Sequence, residues 1–243
     1  MIHALSQARV ERYWAKEFGC SIDTLLTPSG SKVFVRSGTN GALVFRYHEC
    51  CIWHVPERFA PAVQRSVESH ADIEAVFNRA FIMAMFGSAA QLILGPAPLA
   101  YCDDAVFRRN GRLLPARKLT DADRAAVLRL ASACGPEVWG VGGVEFDTHP
   151  ATFGCFADGE LVSAASYEIW GNAIAHICVA TSPGQRGRGF AKSVGAAATA
   201  DAIDNGLVPQ WRTLASNVAS VSVGRAIGFV PMATTFFVRL AFP

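Results

Sequence analysis

The segment that most restricts how this chain can fold runs Thr181-Ser182-Pro183-Gly184-Gln185-Arg186-Gly187-Arg188-Gly189-Phe190-Ala191. It joins a strand-like run, Ala173 to Ala180, to a run of small residues that reads as a helix to about Ala202. A strand that ends on glycines and restarts as a helix sets bare backbone amides at the positive end of the helix dipole, and the missing side chains let an anion approach closely. Arg186 and Arg188 add charge to that turn. The blander reading is that glycines merely end the strand and the arginines are solvated. There is no Gly-Lys-Ser/Thr, and the glycine spacing fails the dinucleotide fingerprint Gly-x-Gly-x-x-Gly. In the helix that follows, Ala191, Gly195, Ala198 and Ala202 form a small-residue face for close packing on a sheet.

The rest of the chain fits a mixed α/β (α+β) organisation. Thr120-Asp121-Ala122-Asp123 reads as a helix start, with the helix spanning Asp121 to Ala133. Thr152 to Phe156 and Leu161 to Trp170 flank Asp158-Gly159, a hairpin signal. A strand is expected over Trp211 to Ala215, a helix over Val218 to Ile227 and a last strand over Thr234 to Leu240. Earlier in the chain, Ala8 to Phe18 has helical character, and Lys32 to Arg36 and Ala42 to Tyr47 read as strand, turn, strand around Ser-Gly-Thr-Asn-Gly. Ala71 to Ala84 reads as one helix and Gln91 to Leu94 as a short strand. The turn-forming Arg108-Arg109-Asn110-Gly111-Arg112 suggests a division between an N-terminal α/β domain, 1–110, and a second domain, 113–243.

Composition narrows the function classes. With 51% hydrophobic and 17% charged residues the chain can bury a sizeable core. Twenty-two Lys plus Arg against twenty Asp plus Glu leave no charge excess to draw nucleic acid, and the basic residues form no stripe. No membrane partner is expected: the uncharged stretch Ala80 to Cys102 is broken by Gly87, Gly95, Pro96 and Pro98 and reads as a helix followed by a strand. The arginines and glutamate near the start do not suit a signal peptide, and seven scattered cysteines suit free thiols, so a cytoplasmic location is expected. His48, Cys50, Cys51 and His54 are metal-ligand types, yet their spacing matches no common zinc pattern; no metal is expected.

The order strand, Arg186-x-x-Gly189-x-Ala191, helix, strand, then Asn217-x-x-Ser220 and Gly228-Phe229 resembles the GNAT superfamily of acyl-CoA N-acyltransferases over roughly residues 113 to 240. The run Gln210-Trp211-Arg212 is similar to a subgroup associated with zwittermicin resistance. The resemblance implies a GNAT-like, mostly antiparallel central sheet flanked by helices. It implies acetyl-CoA as co-substrate, its pyrophosphate surrounded by Arg186, Gly187, Arg188, Gly189, Phe190 and Ala191. It further implies that Cys178, Val179 and Ala180 pair with the pantetheine arm through their main chain, and that Asn217 and Ser220 lie along that arm. Many members carry a tyrosine acid seven residues after the asparagine; Gly224 stands there, so the acid must come from elsewhere, with Ser222 and solvent as candidates.

Acetylation needs the attacking amine neutral, which requires a base. His176, on the strand leading into the turn, and Glu168, between Tyr167 and Trp170, are the candidates, with Glu145 and Asp147 behind them. Each has a plain structural reading, a hydrogen-bonded strand histidine and a solvated strand-end acid. The expected activity is acetyl transfer to the primary amine of a small molecule by direct attack, and the rival is a catalytically weak acyl-CoA-binding sensor. The first hundred residues read as a substrate-facing cap, a homodimer surface, or a degenerate half of the same architecture.

Overall fold

The computed structural model describes residues 1–26, 30–70, 72–108 and 113–241. Most of the turn-forming segment at which the two domains were divided, Arg109 to Arg112, lies outside the described residues. In chain order the elements are α1 (Ala4–Phe18), α2 (Ile22–Leu26), β1 (Gly30–Val35), β2 (Gly41–Tyr47), β3 (Cys50–Val55), α3 (Ala60–Glu68), α4 (Ile73–Val76), α5 (Arg79–Phe86) and β4 (Ala90–Tyr101). They continue with β5 (Arg117–Lys118), α6 (Arg124–Cys134), α7 (Pro136–Gly142), β6 (Thr152–Ala157), β7 (Glu160–Trp170), β8 (Ile174–Thr181), α8 (Phe190–Asp204), β9 (Val208–Arg212), α9 (Val218–Ile227) and β10 (Val230–Leu240). Among the described residues no helix is long and apolar enough to cross a membrane, and the seven cysteines are free.

Two compact units share these elements, and both are discontinuous in sequence. One gathers 1–10, 100–212 and 219–230; the other gathers 11–99, 213–218 and 231–243. In the first unit the strand order is β9-β8-β7-β6-β5, antiparallel except between β8 and β9. The Asp158-Gly159 turn, with φ of 51° and 80°, closes the β6–β7 hairpin. This is the left-handed backbone that such two-residue loops require. Because strand side chains alternate, Ala164, Ser166, Glu168 and Trp170 share one face with His176, Cys178 and Ala180. Leu119, Val127, Leu130, Cys134 and Val144 pack on this face against Ala164, Cys178 and Ala180. On the opposite face Ala165, Tyr167, Ala175 and Ile177 meet Val194, Ala198 and Ala202 of α8, the small-residue stripe that brings this helix close to the sheet.

The second unit orders its strands β1-β3-β2-β10-β4. Here the sequence reading needs correction. β1 and β2 do not form a hairpin: β3 lies between them, parallel to β1 and antiparallel to β2. Of the single helix expected over 71–84, Ala71 lies outside the described residues and the remainder is two helices, because Asn78 adopts an extended backbone and its side chain accepts from the amide of Phe81 at 2.9 Å, capping a new helix. Strand β4 is far longer than the expected Gln91–Leu94 and runs through Pro96 and Pro98. In the first unit, β9 begins at Val208 rather than Trp211 and carries Pro209 within it.

Candidate functional site

After β8 the chain makes a short 3-10 turn, Pro183–Gln185, and then a type II turn, with Arg186 at φ −66°, ψ 158° and Gly187 at φ 77°. Gly189, at φ 88° and ψ 0°, is the residue from which α8 starts. The first donor bonded back into this helix end is the amide of Ser193, to the carbonyl of Gly189 at 3.1 Å. The amides of Gly189, Phe190, Ala191 and Lys192 therefore have no intrahelical acceptor, and glycine offers no side chain to cap them. A Cβ placed on Gly184, Gly187 or Gly189 would meet nothing within 4 Å. The turn is an open cradle of donors at the positive end of a helix. Arg186 and Arg188 are exposed around it; Arg188 bonds Gln185 and lies over the Phe190 ring at 5.3 Å, while Phe190 itself is buried.

Beyond His176, one edge of the strand leading to this cradle has no strand partner among the described residues; Gly142 of α7 lies beside it, where a Cβ would sit 3.0 Å from the Val179 carbonyl oxygen. β8 pairs with β9 over three positions, Ile174 with Val208, Ala175 with Pro209 and His176 with Gln210, and the pairing ends there. On its other edge β8 pairs with β7 as far as Thr181. Ser182 donates to the carbonyl of Val162 at 2.9 Å, which sets the alternation of the antiparallel ladder. Cys178 and Ala180 thereby direct their main-chain groups to β7, and Ile177 and Val179 direct theirs away from it. Of the three positions expected to pair with a pantetheine arm, Val179 is the one with main-chain groups turned outward. The Cys178 side chain is buried, 3.1 Å from where a Cβ on Gly143 would sit. Burial first, then the Glu168 carboxylate, pushes its thiol up to about 12, so it is held as an inert thiol.

The candidate bases lie on the Cys178 face. Glu168 is exposed and directly opposite His176. The His176 ring stacks on Trp170 at 4.5 Å and 20°, and the Arg212 guanidinium lies 5.4 Å from the same indole. Burial, with the nearby Arg212 charge behind it, pulls His176 down to about 3, so the ring is neutral at physiological pH and takes up a proton poorly. His149, which the sequence reading passed over, enters this group from the loop before β6: its Nδ1 lies 2.7 Å from Ser166 Oγ. Burial lowers its proton affinity, against the charges of Glu168 and Glu145. Tyr101 joins the group as well; its hydroxyl accepts from Gln210 Nε2 at 2.9 Å. No sequence spacing marks either residue, because strand register brings them in.

The acid candidate Ser222 and the residues expected along the pantetheine arm, Asn217 and Ser220, lie on or just before α9. Ser222 is exposed on α9. Ser220 Oγ accepts from the Trp211 indole N–H at 3.1 Å, which ties it to packing. Asn217 belongs to the other compact unit, its amide donating to the carbonyl of Leu214 at 2.9 Å. Gly224 is explained by contact: a Cβ there would lie 3.0 Å from Cδ1 and 3.1 Å from Cγ of Trp211. Among the described residues, metal-ligand-type side chains converge at His3, Asp103 and Asp104, away from the turn in sequence, and not at the His48 to His54 cluster.

A strand diverging from its parallel neighbour and feeding a glycine turn at a helix start defines an architecture that comparison with known proteins identifies. Residues 145–235 match the family model for GNAT acetyltransferase. The fold is also that of solved GNAT structures. A GCN5-related N-acetyltransferase from Kribbella flavida is similar over 100% of this chain and 98% of its own, at 15% identity and a TM-score of 0.51. A GCN5-related N-acetyltransferase-like protein from Streptococcus suis covers 95% of this chain and 98% of its own, at 17% identity and a TM-score of 0.50. A GNAT-family acetyltransferase from Colwellia psychrerythraea covers 78% and 76%, at 16% identity and a TM-score of 0.52. No curated protein matches the chain.

Proposed function

We propose that the protein is an N-acetyltransferase that moves an acetyl group from acetyl-CoA to the primary amine of a small molecule by direct attack. The observation that carries this reading is the open donor cradle at Gly187–Ala191 beside the unpaired edge of β8. When bound, acetyl-CoA supplies a carbonyl activated as a thioester. Gly187 and Gly189 let the backbone approach the pyrophosphate, and the amides of Gly189, Phe190 and Ala191 donate to it, with Arg186 and Arg188 adding charge. Val179 pairs its main chain with the pantetheine amides as an added strand would, which lays the carrier along β8.

Glu168 attracts the cationic amine and takes its proton, directly or through a water, and is favoured over His176 because the buried imidazole holds a proton so poorly. The new C–N bond forms as the C–S bond breaks, and the leaving thiolate takes a proton from solvent or Ser222. Holding the two reactants together supplies most of the rate. A second reading, a CoA-binding sensor, draws on the Trp211 indole packed against Gly224 where many relatives have a tyrosine acid.

Free-thiol release from acetyl-CoA against a panel of primary amines separates the two readings. Amine-dependent release supports transfer; tight binding with no release on any amine supports the sensor. Arg186→Glu should abolish coenzyme A binding under both.

A further inference from the structure

Two buried polar atoms at the point where β8 and β9 part, Nδ1 of His176 and Oε1 of Gln210, have no well-formed hydrogen bond to any other group, and the Gln210 side chain lies within hydrogen-bonding influence of the His176 ring. They are not scattered, because parallel register sets His176 and Gln210 opposite each other as the last pair of that ladder. Gln210 and Tyr101 are fully buried, and the Gln210 amide nitrogen is committed to the Tyr101 hydroxyl at 2.9 Å. With the nitrogen so committed, the amide oxygen is the Gln210 atom left to partner the histidine, and the hydrogen-bond influence of Gln210 on the ring favours its protonated form, as an accepting oxygen does. An oxygen can only accept, so the facing Nδ1 must carry the proton. Stacking on Trp170 fixes the plane of the ring, and His176 is mostly buried, with a minor part of the residue exposed and its Nδ1 fully enclosed.

We propose that Tyr101 and Gln210 are positioning residues that hold His176 in its Nδ1–H tautomer, so that its Nε2 lone pair accepts an N–H of the acceptor amine. This rests on the transfer reading above and assigns His176 a binding role in place of the base role. The charged and titratable groups around the ring are Arg212 on β9, Glu168 opposite on β7 and His149 beside Ser166. Arg212 opposes a positive imidazolium and so preserves the lone pair. An ammonium has three N–H donors to offer; with one held by His176, another proton can pass to Glu168.

The tautomer is read directly by 15N NMR of the histidine side chains in the full-length protein, with His176→Gln used to assign the resonance. The expected result is a pyrrole-type shift for Nδ1 and a pyridine-type shift for Nε2 at pH 7, averaging toward mixed values in Tyr101→Phe. The reverse pattern would mean that Gln210 presents its nitrogen to the ring, and would overturn the proposal. Kinetics supply the second test. In Gln210→Glu a carboxylate beside Nδ1–H promotes the imidazolium, so KM for the amine should rise at pH 6 relative to pH 8 on the order of tenfold, with KM for acetyl-CoA unmoved. Equal changes in both KM values, or a flat pH profile, would mark a merely structural pair and overturn it. Failure of coenzyme A to bind at all is a different outcome: it removes the reaction and the amine role with it, while the NMR pattern still decides the tautomer.

Discussion

Trp211 is the residue around which one glycine of α8 and one of α9 are organised. Its indole N–H is bonded to Ser220, its ring packs 5.4 Å from Phe229, and Gly195 and Gly224 approach it from α8 and α9. A Cβ on Gly224 would come within 3.0 Å of the ring, and Gly195 leaves no slack on the other side, where a Cβ would sit 3.2 Å from it. Alanine at 224 gains about 1 kcal/mol of helix propensity but crowds an immobile ring at a cost of about 1–3 kcal/mol. Gly224→Ala should therefore be net destabilising in urea unfolding, and Gly224→Tyr more so, without raising kcat. A stabilised Gly224→Ala would show that Trp211 can yield. The sequence marks Gly224 as a close approach; it cannot name the indole, because that partner is fixed by tertiary packing. At the start of α6, Asp123 accepts two bonds from Arg117, at 2.8 and 2.6 Å, and one from the amide of Thr120 at 2.9 Å. These hold its carboxyl well below the usual range, Arg117 first. A carboxyl depressed on folding stabilises above its unfolded pKa, about 3.9, and that contribution is lost as pH falls below it. Asp123→Asn should thus be less stable than the wild type at pH 7, with the difference shrinking below about pH 4; a pH-independent difference would contradict the ion-pair account.

Strand β8 and the turn after it were readable from local signals: apolar alternation, an Asp-Gly hairpin upstream and glycines before a small-residue helix. What local signals could not supply is the divergence of β9 after His176–Gln210, since strand pairing is a long-range property and Pro209 conceals the start of that strand. The same limit explains β1 and β2. A polar, glycine-containing linker between two strands reads as a hairpin, yet β3 takes the place between them. His149 was missed because its meeting with Ser166 depends on where β6 and β7 bring the preceding loop. At this scale the cradle makes a sharp forecast. Gly189→Ala forces an L-residue into a left-handed conformation at a cost of about 1–2 kcal/mol, and its methyl would point into space that no protein atom fills. Affinity for acetyl-CoA should fall by on the order of tenfold or more, beyond what partial unfolding explains, as seen by titrating the folded variant.

Over the whole molecule, similarity to GNAT structures extends across nearly the full chain, including the first hundred residues that the sequence left without a family. Those residues do not stand as a contiguous block: 231–243 gather with 11–99, and 1–10 with 100–212. A linear reading sees turn-forming residues near 110 and cannot see that the last strand, β10, pairs with β2. The family-matched stretch, 145–235, contains the cradle, the edge of β8 that β9 leaves without a strand partner, and the His176, Glu168 and Gln210 group together. Isothermal titration of the full-length protein with acetyl-CoA tests the account most directly. It predicts saturable heat at one site per chain, displaced by free coenzyme A and lost in Arg186→Glu. No heat with either ligand, or heat that Arg186→Glu leaves unchanged, would contradict it.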